Sequence, residues 1–162
     1  MRRIPTLSAA LLAAALILAG TGCNFLKSRD HINQGIASYR NAKYGEAVDH
    51  FEKAIQLDPQ NPTPRMYLAT SYMVQWIPGA ESLENQEYAK KAKEEFLKVL
   101  DKDPKEKTAL AYLATLAFNQ ALSLPLEEKL KVFDEAAMWQ YRRLEVEPKD
   151  KEAYYTRGMI AY

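Results

Sequence analysis

Two histidines, His31 and His50, and the adjacent acid pairs Glu94-Glu95 and Glu127-Glu128 are the side chains of this 162-residue chain whose types invite metal or general acid–base chemistry. The histidines stand 19 apart, without a cysteine or carboxylate at a zinc-ligand spacing, and read as surface residues on two different helices. Adjacent acids point about 100° apart on a helix, so neither pair can serve one substrate as both acid and base. No G-x-S-x-G elbow, phosphate-cradling glycine loop or H-E-x-x-H occurs. The sequence thus predicts no enzyme, no metal site and no cofactor.

The remaining reactive side chain is the sole cysteine, Cys23. It follows a basic start, Met1-Arg2-Arg3, an apolar run from Leu7 to Leu18, and the small residues Ala19-Gly20-Thr21-Gly22. That order is the layout of a secretory signal peptide. It resembles a bacterial lipoprotein signal, which implies cleavage before Cys23, lipidation of its thiol, and a membrane-anchored place outside the cytoplasm; Asn24 after the cysteine, rather than Asp, favours the outer membrane, facing the periplasm, over the inner one. Gly20 departs from that pattern, which usually has a bulky aliphatic residue three before the cysteine. The competing reading is a short transmembrane anchor, since Ile4 to Gly20 is 17 mostly apolar residues. The expected divisions are a signal at 1–22, a lipid-anchored tether at 23–29, and a folded body at 30–162. Extended, Asn24 to Ser28 would reach roughly 20 Å.

Without residues 1–22 the charge is 20 basic against 21 acidic residues. Runs such as Lys90-Lys91-Ala92-Lys93-Glu94-Glu95 mix both signs, so the clustered cations of a nucleic-acid surface are missing.

Those side chains must sit on a repeating frame. A small residue recurs at Gly35, Ala69, Ala114 and Gly158, an alanine at Ala47, Ala92 and Ala136, and a proline at Pro59, Pro104 and Pro148. The small-residue intervals are 34, 45 and 44, and the gap from small residue to alanine grows from 12 to 23 and 22. Extra residues therefore lie inside the second and third units. Tyr44, Ala47, Val48, Phe51, Ala54 and Ile55 step by three and four, one buried helical stripe, with Glu46, Asp49, Glu52 and Lys53 opposite in solvent. The small residue lets a paired helix approach, and the proline stops the second helix.

With A-x3-F…P in unit one (Ala47, Phe51, Pro59) and unit two (Ala92, Phe96, Pro104), the pattern resembles the tetratricopeptide repeat. The resemblance implies an all-α, right-handed superhelix of antiparallel helix pairs, about three and a half repeats long. A HEAT-like solenoid is the runner-up from the period of about 44. Unit three departs from the pattern, with Gln140 and Arg143 where the family has an aromatic and a small residue, which predicts altered packing of its second helix. Unit four has Gly158 but no second helix, which predicts a truncated C-terminus.

Helices are expected at about 30–41, 44–57, 63–75, 84–102, 106–121, 127–146 and 150–162, with two long connections, around Trp76–Glu84 and Leu122–Glu128. The insertions either form a ridge for binding or lengthen helices, with Trp76, Ile77, Leu124 and Leu126 tucked in.

The resemblance also implies a concave surface lined by first helices, three before, one after and four after the small residue. Those positions are Ile32, Ile36 and Tyr39; Met66, Thr70 and Met73; Ala111, Thr115 and Phe118; and Tyr155, Met159 and Tyr162. The carboxylate clamp of one family subset needs Lys and Asn where Ile32 and Ile36 stand, so an apolar protein or peptide segment is the expected partner. The expected function is a lipid-anchored interaction scaffold that assists assembly of an envelope complex. The alternative is an accessory or regulatory region of a larger enzyme or transport complex continuing beyond Tyr162.

Overall fold

A computed structural model describes the backbone of residues 7–160 and the side chains of residues 23–160. The expected leader and Tyr162 lie outside the residues whose side chains are described. Seven helices and no strand occur among the described residues: α1 (Leu7–Arg40), α2 (Tyr44–Leu57), α3 (Thr63–Met73), α4 (Leu83–Lys102), α5 (Lys107–Leu122), α6 (Leu126–Val146) and α7 (Lys151–Ile160). Each packs on its neighbours in the chain, and α1 also touches α3, giving stacked helix pairs. Among the described residues no helix is long and apolar enough to cross a membrane.

One local rule ends three of the helices. α2, α4 and α6 stop two residues before Pro59, Pro104 and Pro148. The residue between, Asp58, Asp103 or Glu147, precedes the proline ring, which excludes it from the helical region. Its φ is −140°, −129° or −133°, with ψ at 80°, 92° or 80°. Its amide still donates back to Ala54, Val99 or Arg143, so the stop leaves one fewer carbonyl open.

Packing explains the small and aromatic positions. A Cβ on Gly35 would lie 2.6 Å from Phe51 Cε1, so the α1–α2 approach requires glycine there. Phe51 stacks on Tyr67 of the next unit with ring centres 5.3 Å apart and planes at 15°, and 45 residues later Phe96 stacks on Tyr112 at 5.1 Å and 15°. Ala69 and Ala114 are fully buried. Gly158 does not follow: nothing lies within 4 Å of its would-be Cβ, because no described helix covers that side of α7.

The insertions are solved in two ways. In unit two they become the nine-residue loop 74–82 and a longer α4. In unit three they become helix, leaving only 123–125 between α5 and α6, so the second long connection is corrected to a short one. Leu124 is half-buried and Trp76 is buried. Ile77 and Leu126, also expected to be tucked in, are 64% and 72% exposed, because each sits at a hairpin tip with no further element above it.

Residues 24–28 are helical, part of the continuous α1. Their rise is about 7.5 Å, well short of an extended tether. Ser28 is buried and donates its hydroxyl to the Ala54 carbonyl at 2.9 Å, so docking on α2 begins there.

Loop 74–82 is held rigidly. Ile77-Pro78-Gly79-Ala80 is a type II turn: Gly79 has φ +81°, and the Ala80 amide donates to the Ile77 carbonyl at 3.2 Å. Buried Asn85 accepts from the Ile77 amide at 2.7 Å and donates to the Ile77 and Ala80 carbonyls at 2.8 and 2.9 Å. Asn85→Leu should therefore cost about 2 kcal/mol, the penalty for stranding buried backbone groups. Amide exchange at Ile77 and Ala80 should rise while α5 stays protected, and unchanged exchange there would contradict the clamp.

Candidate binding surface

The inferred groove residues do not share one environment. Ser28, Ile32 and Gly35 form an i, i+4, i+7 stripe against α2, and all three are buried, so Ile32 is a core residue and not a contact residue. Thr70 is buried as well, in the run Leu68–Tyr72 of α3, a helix flanked by α1, α2 and α4. Its hydroxyl lies against the Met66 and Tyr67 carbonyls at 3.1 and 2.9 Å, and that of exposed Thr115 donates to Ala111 at 3.0 Å. These hydroxyls are satisfied within their own helices.

Ile36, Tyr39, Met66, Met73 and Phe118 are half-buried, each packed on the core with part of the side chain open. Phe118 meets Phe133 at 5.7 Å between ring centres. Ala111 lies beside a cavity of about 340 Å³ with Lys107, Thr108, Tyr112, Arg143, Glu147 and Asp150. That cavity is charge-balanced: Lys107 lies 3.5 Å from Glu147, and Arg143 pairs with Asp150, so no free cation awaits a carboxylate. Tyr155 and Met159 are exposed beside Tyr154 and Gly158, around a shallow cavity of about 500 Å³. Cys23 is an exposed free thiol.

A polar centre was missed by the sequence reading. Burial, with the Tyr112 and Tyr44 phenols nearby, pushes the Tyr39 phenol up, and the Thr70 hydroxyl offsets part of that. Tyr39 also meets Tyr44 and Tyr67 edge-on at 5.4 and 6.3 Å. Tyr39 of α1, Tyr44 of α2 and Tyr67 of α3 thus form one aromatic group. The 45-residue recurrence of Tyr67 as Tyr112 was the available signal.

The histidines are also corrected. His31 Nδ1 and His50 Nδ1 are 3.2 Å apart, both rings half-buried between α1 and α2, because the helix pair folds residues 19 apart onto one another. One ring donates and the other accepts. No group of three metal-ligating side chains occurs among the described residues.

Unit three packs in the altered way its sequence implied. Gln140 is buried, Arg143 Nη1 donates to Gln140 Oε1 at 3.4 Å, and Arg143 Nη2 donates to Asp150, whose other oxygen accepts from the Ala153 amide at 3.1 Å. Burial opposes ionisation of Asp150, but the Ala153 amide and the Arg143 guanidinium outweigh it and hold the carboxyl below its ordinary value.

The tetratricopeptide repeat family model matches residues 28–61. The tetratricopeptide domain of Arabidopsis OM64 is similar in structure, with a TM-score of 0.63 at 21% identity over 85% of this chain and 96% of that one. A thermophilic tetratricopeptide protein of Thermus thermophilus gives 0.63 at 16% identity, covering 82% of this chain and 63% of that one. The second such domain of human RPAP3, in complex with the HSP70 peptide SGPTIEEVD, gives 0.60 at 17% identity over 88% and 98%. No curated protein sequence matches this chain. The fold is the tetratricopeptide-repeat fold.

Proposed function

We propose that this chain is a protein-interaction module of the bacterial envelope, anchored through lipid on Cys23, whose concave face holds an apolar segment of a partner during assembly of an envelope complex. The observation that carries this reading is the row of open Met and aromatic side chains on successive first helices: Met66 and Met73 on α3, Phe118 on α5, Tyr155 and Met159 on α7. Flexible thioethers flanked by rigid rings suit an adaptable apolar contact surface. The neighbouring domain of human RPAP3 holds a peptide on the same fold, which supports a peptide-binding role here. Its ligand is acidic, whereas the open first-helix side chains named here are Met and aromatic residues.

Met66→Ser with Phe118→Ser should weaken partner binding at least tenfold, the loss of two anchors of about 1 kcal/mol each, with helicity by circular dichroism unchanged. Unchanged binding by the folded double variant would refute the groove. For the anchor, mass spectrometry of the mature N-terminus should find lipid on Cys23, and Cys23→Ser should move the protein out of the membrane fraction. An intact Met1 in membranes would refute it.

A further inference from the structure

The concave groove leaves the other end of the helix pairs unexplained. Loop 74–82 and the short α5–α6 connection both lie at hairpin tips, where the extra turns of α4 and α6 project. Between them is a cleft of about 470 Å³. Trp76, Ala89, Leu124 and Val132 supply its apolar lining, and Gln86 and Gln120 its amides. Further along α4 and α6, beyond Ala89 and Val132, Lys93 pairs with Glu135 at 2.7 Å, and the Trp139 ring nitrogen donates to the same carboxylate at 3.1 Å.

Around this cleft the molecule exposes large aliphatic side chains. Ile77 and Leu83 on the α3–α4 side, and Leu122, Leu126 and Leu130 on the α5–α6 side, are all exposed, Leu83 at 81%. Chance exposure of single leucines is common, but five large aliphatic side chains on the two segments that flank a partly apolar cleft mark a contact site. Ile77 is the clearest case. The type II turn and the two bonds between Asn85 and its own amide and carbonyl fix its backbone in one conformation while its side chain stays in water. A pre-ordered loop costs less entropy to bind.

The charge at this end is one-sided. Residues 66–89 and 108–128 contain no lysine or arginine, whereas Glu81, Glu84, Glu127 and Glu128 are exposed on the loop and the first turns of α4 and α6; Glu87, further along α4, pairs with Lys90 at 3.6 Å. Some of that charge complements the positive ends of α4 and α6, and Lys129 and Lys131 follow the α6 pair, but Glu81, Glu84, Glu127 and Glu128 lie in no ion pair within 4 Å among the described residues and make a negative rim around an apolar floor.

The geometry points to a second docking site at the α4–α6 tip, taking an amphipathic helix with lysine or arginine flanks from a partner protein. The occupant lays its apolar stripe between Ile77 and Leu83 on one side and Leu124, Leu126 and Val132 on the other, and its cations meet the glutamate rim. The site is separate from the concave groove: it is built from inserted segments, and it stands or falls independently of that reading.

The test uses the full chain in phosphatidylcholine nanodiscs, with empty nanodiscs subtracted, and two fluorescent 18-residue model helices. One carries leucine at i, i+3, i+4 and i+7 with lysine elsewhere, and the other has glutamate in place of lysine. The lysine helix should bind at least tenfold more tightly than the glutamate helix. Ile77→Ser with Leu83→Ser, both exposed, should weaken it at least tenfold with unchanged helicity. Glu127→Gln with Glu128→Gln should weaken it several-fold and flatten its salt dependence, while Met66→Ser with Phe118→Ser should leave it unaltered. Equal binding of the two helices overturns the proposal, as does binding lost only with the Met66 and Phe118 pair. Self-association of the chain that Ile77→Ser abolishes would also overturn it, because the occupant would then be a second copy.

Discussion

Truncating Phe96 to alanine should remove about 4 kcal/mol of unfolding free energy, the upper range for an aromatic deleted from a closed core. Phe96 is fully buried and stacks on Tyr112, so it spans the junction between α4 and α5 as well as filling unit two. In a stacked array, stability is roughly a sum of unit and neighbour terms, so losing a junction also weakens coupling between the halves. Urea unfolding of Phe96→Ala should show a lower midpoint and a broader or split transition, with a reduced apparent slope. Phe96→Leu should lose roughly half as much, and exposed Glu94→Ala should stay within about 0.5 kcal/mol of wild type. A loss under about 1.5 kcal/mol with a sharp single transition would show that the Phe96–Tyr112 stack does not join the units.

The repeat made most of this frame readable. Periods of 45 and 44 residues place Pro59, Pro104 and Pro148 at equivalent points, and the helix ends fall at Leu57, Lys102 and Val146, as steric exclusion before proline demands. Gly35 against Phe51 was legible for the same reason: a local rule, repeated, marks its own positions. What repetition could not show is what happens when one unit breaks the rule. Two insertions of nearly equal length gave one ordered loop and one pair of longer helices. The difference rests on Asn85, whose side chain satisfies backbone groups five and eight residues away, and on the Pro78-Gly79 turn. Nor could spacing alone separate groove from core at Ile32, since the stripe it shares with Ser28 and Gly35 becomes visible only once α2 is in place. The histidine pair failed for the same reason, because two surface-type residues meet only when α1 and α2 close.

Breaking the Arg143–Asp150 pair should loosen α7 far more than any other element. Both side chains are largely buried, at 10% and 11% exposure, and the second partner of Arg143, Glu152 at 3.6 Å, is well exposed. Where units one and two stack Phe51 on Tyr67 and Phe96 on Tyr112, the equivalent positions 44 residues later are Gln140 and Thr156. The last junction is therefore polar, and α7 buries only Ala153. Arg143→Met should cost about 3 kcal/mol, because it leaves the Asp150 carboxylate buried without its cation. Amide exchange across α7 should then accelerate about a hundredfold, since each 1.4 kcal/mol is a factor of ten, while α3 and α4 stay protected. Acid should do the same to the wild type. The Asp150 carboxyl is held below its ordinary value in the folded chain, so its contribution is complete above about pH 3.9, the unfolded value, and is lost as pH falls through the lower folded value. Asp150→Asn should already show the loosened α7 at neutral pH and lack that contribution to the acid step. If α7 in Arg143→Met exchanges at the wild-type rate, the pair is an incidental contact and the packing of Ala153 and Ile160, with Arg157 on the Tyr141 ring, holds the helix.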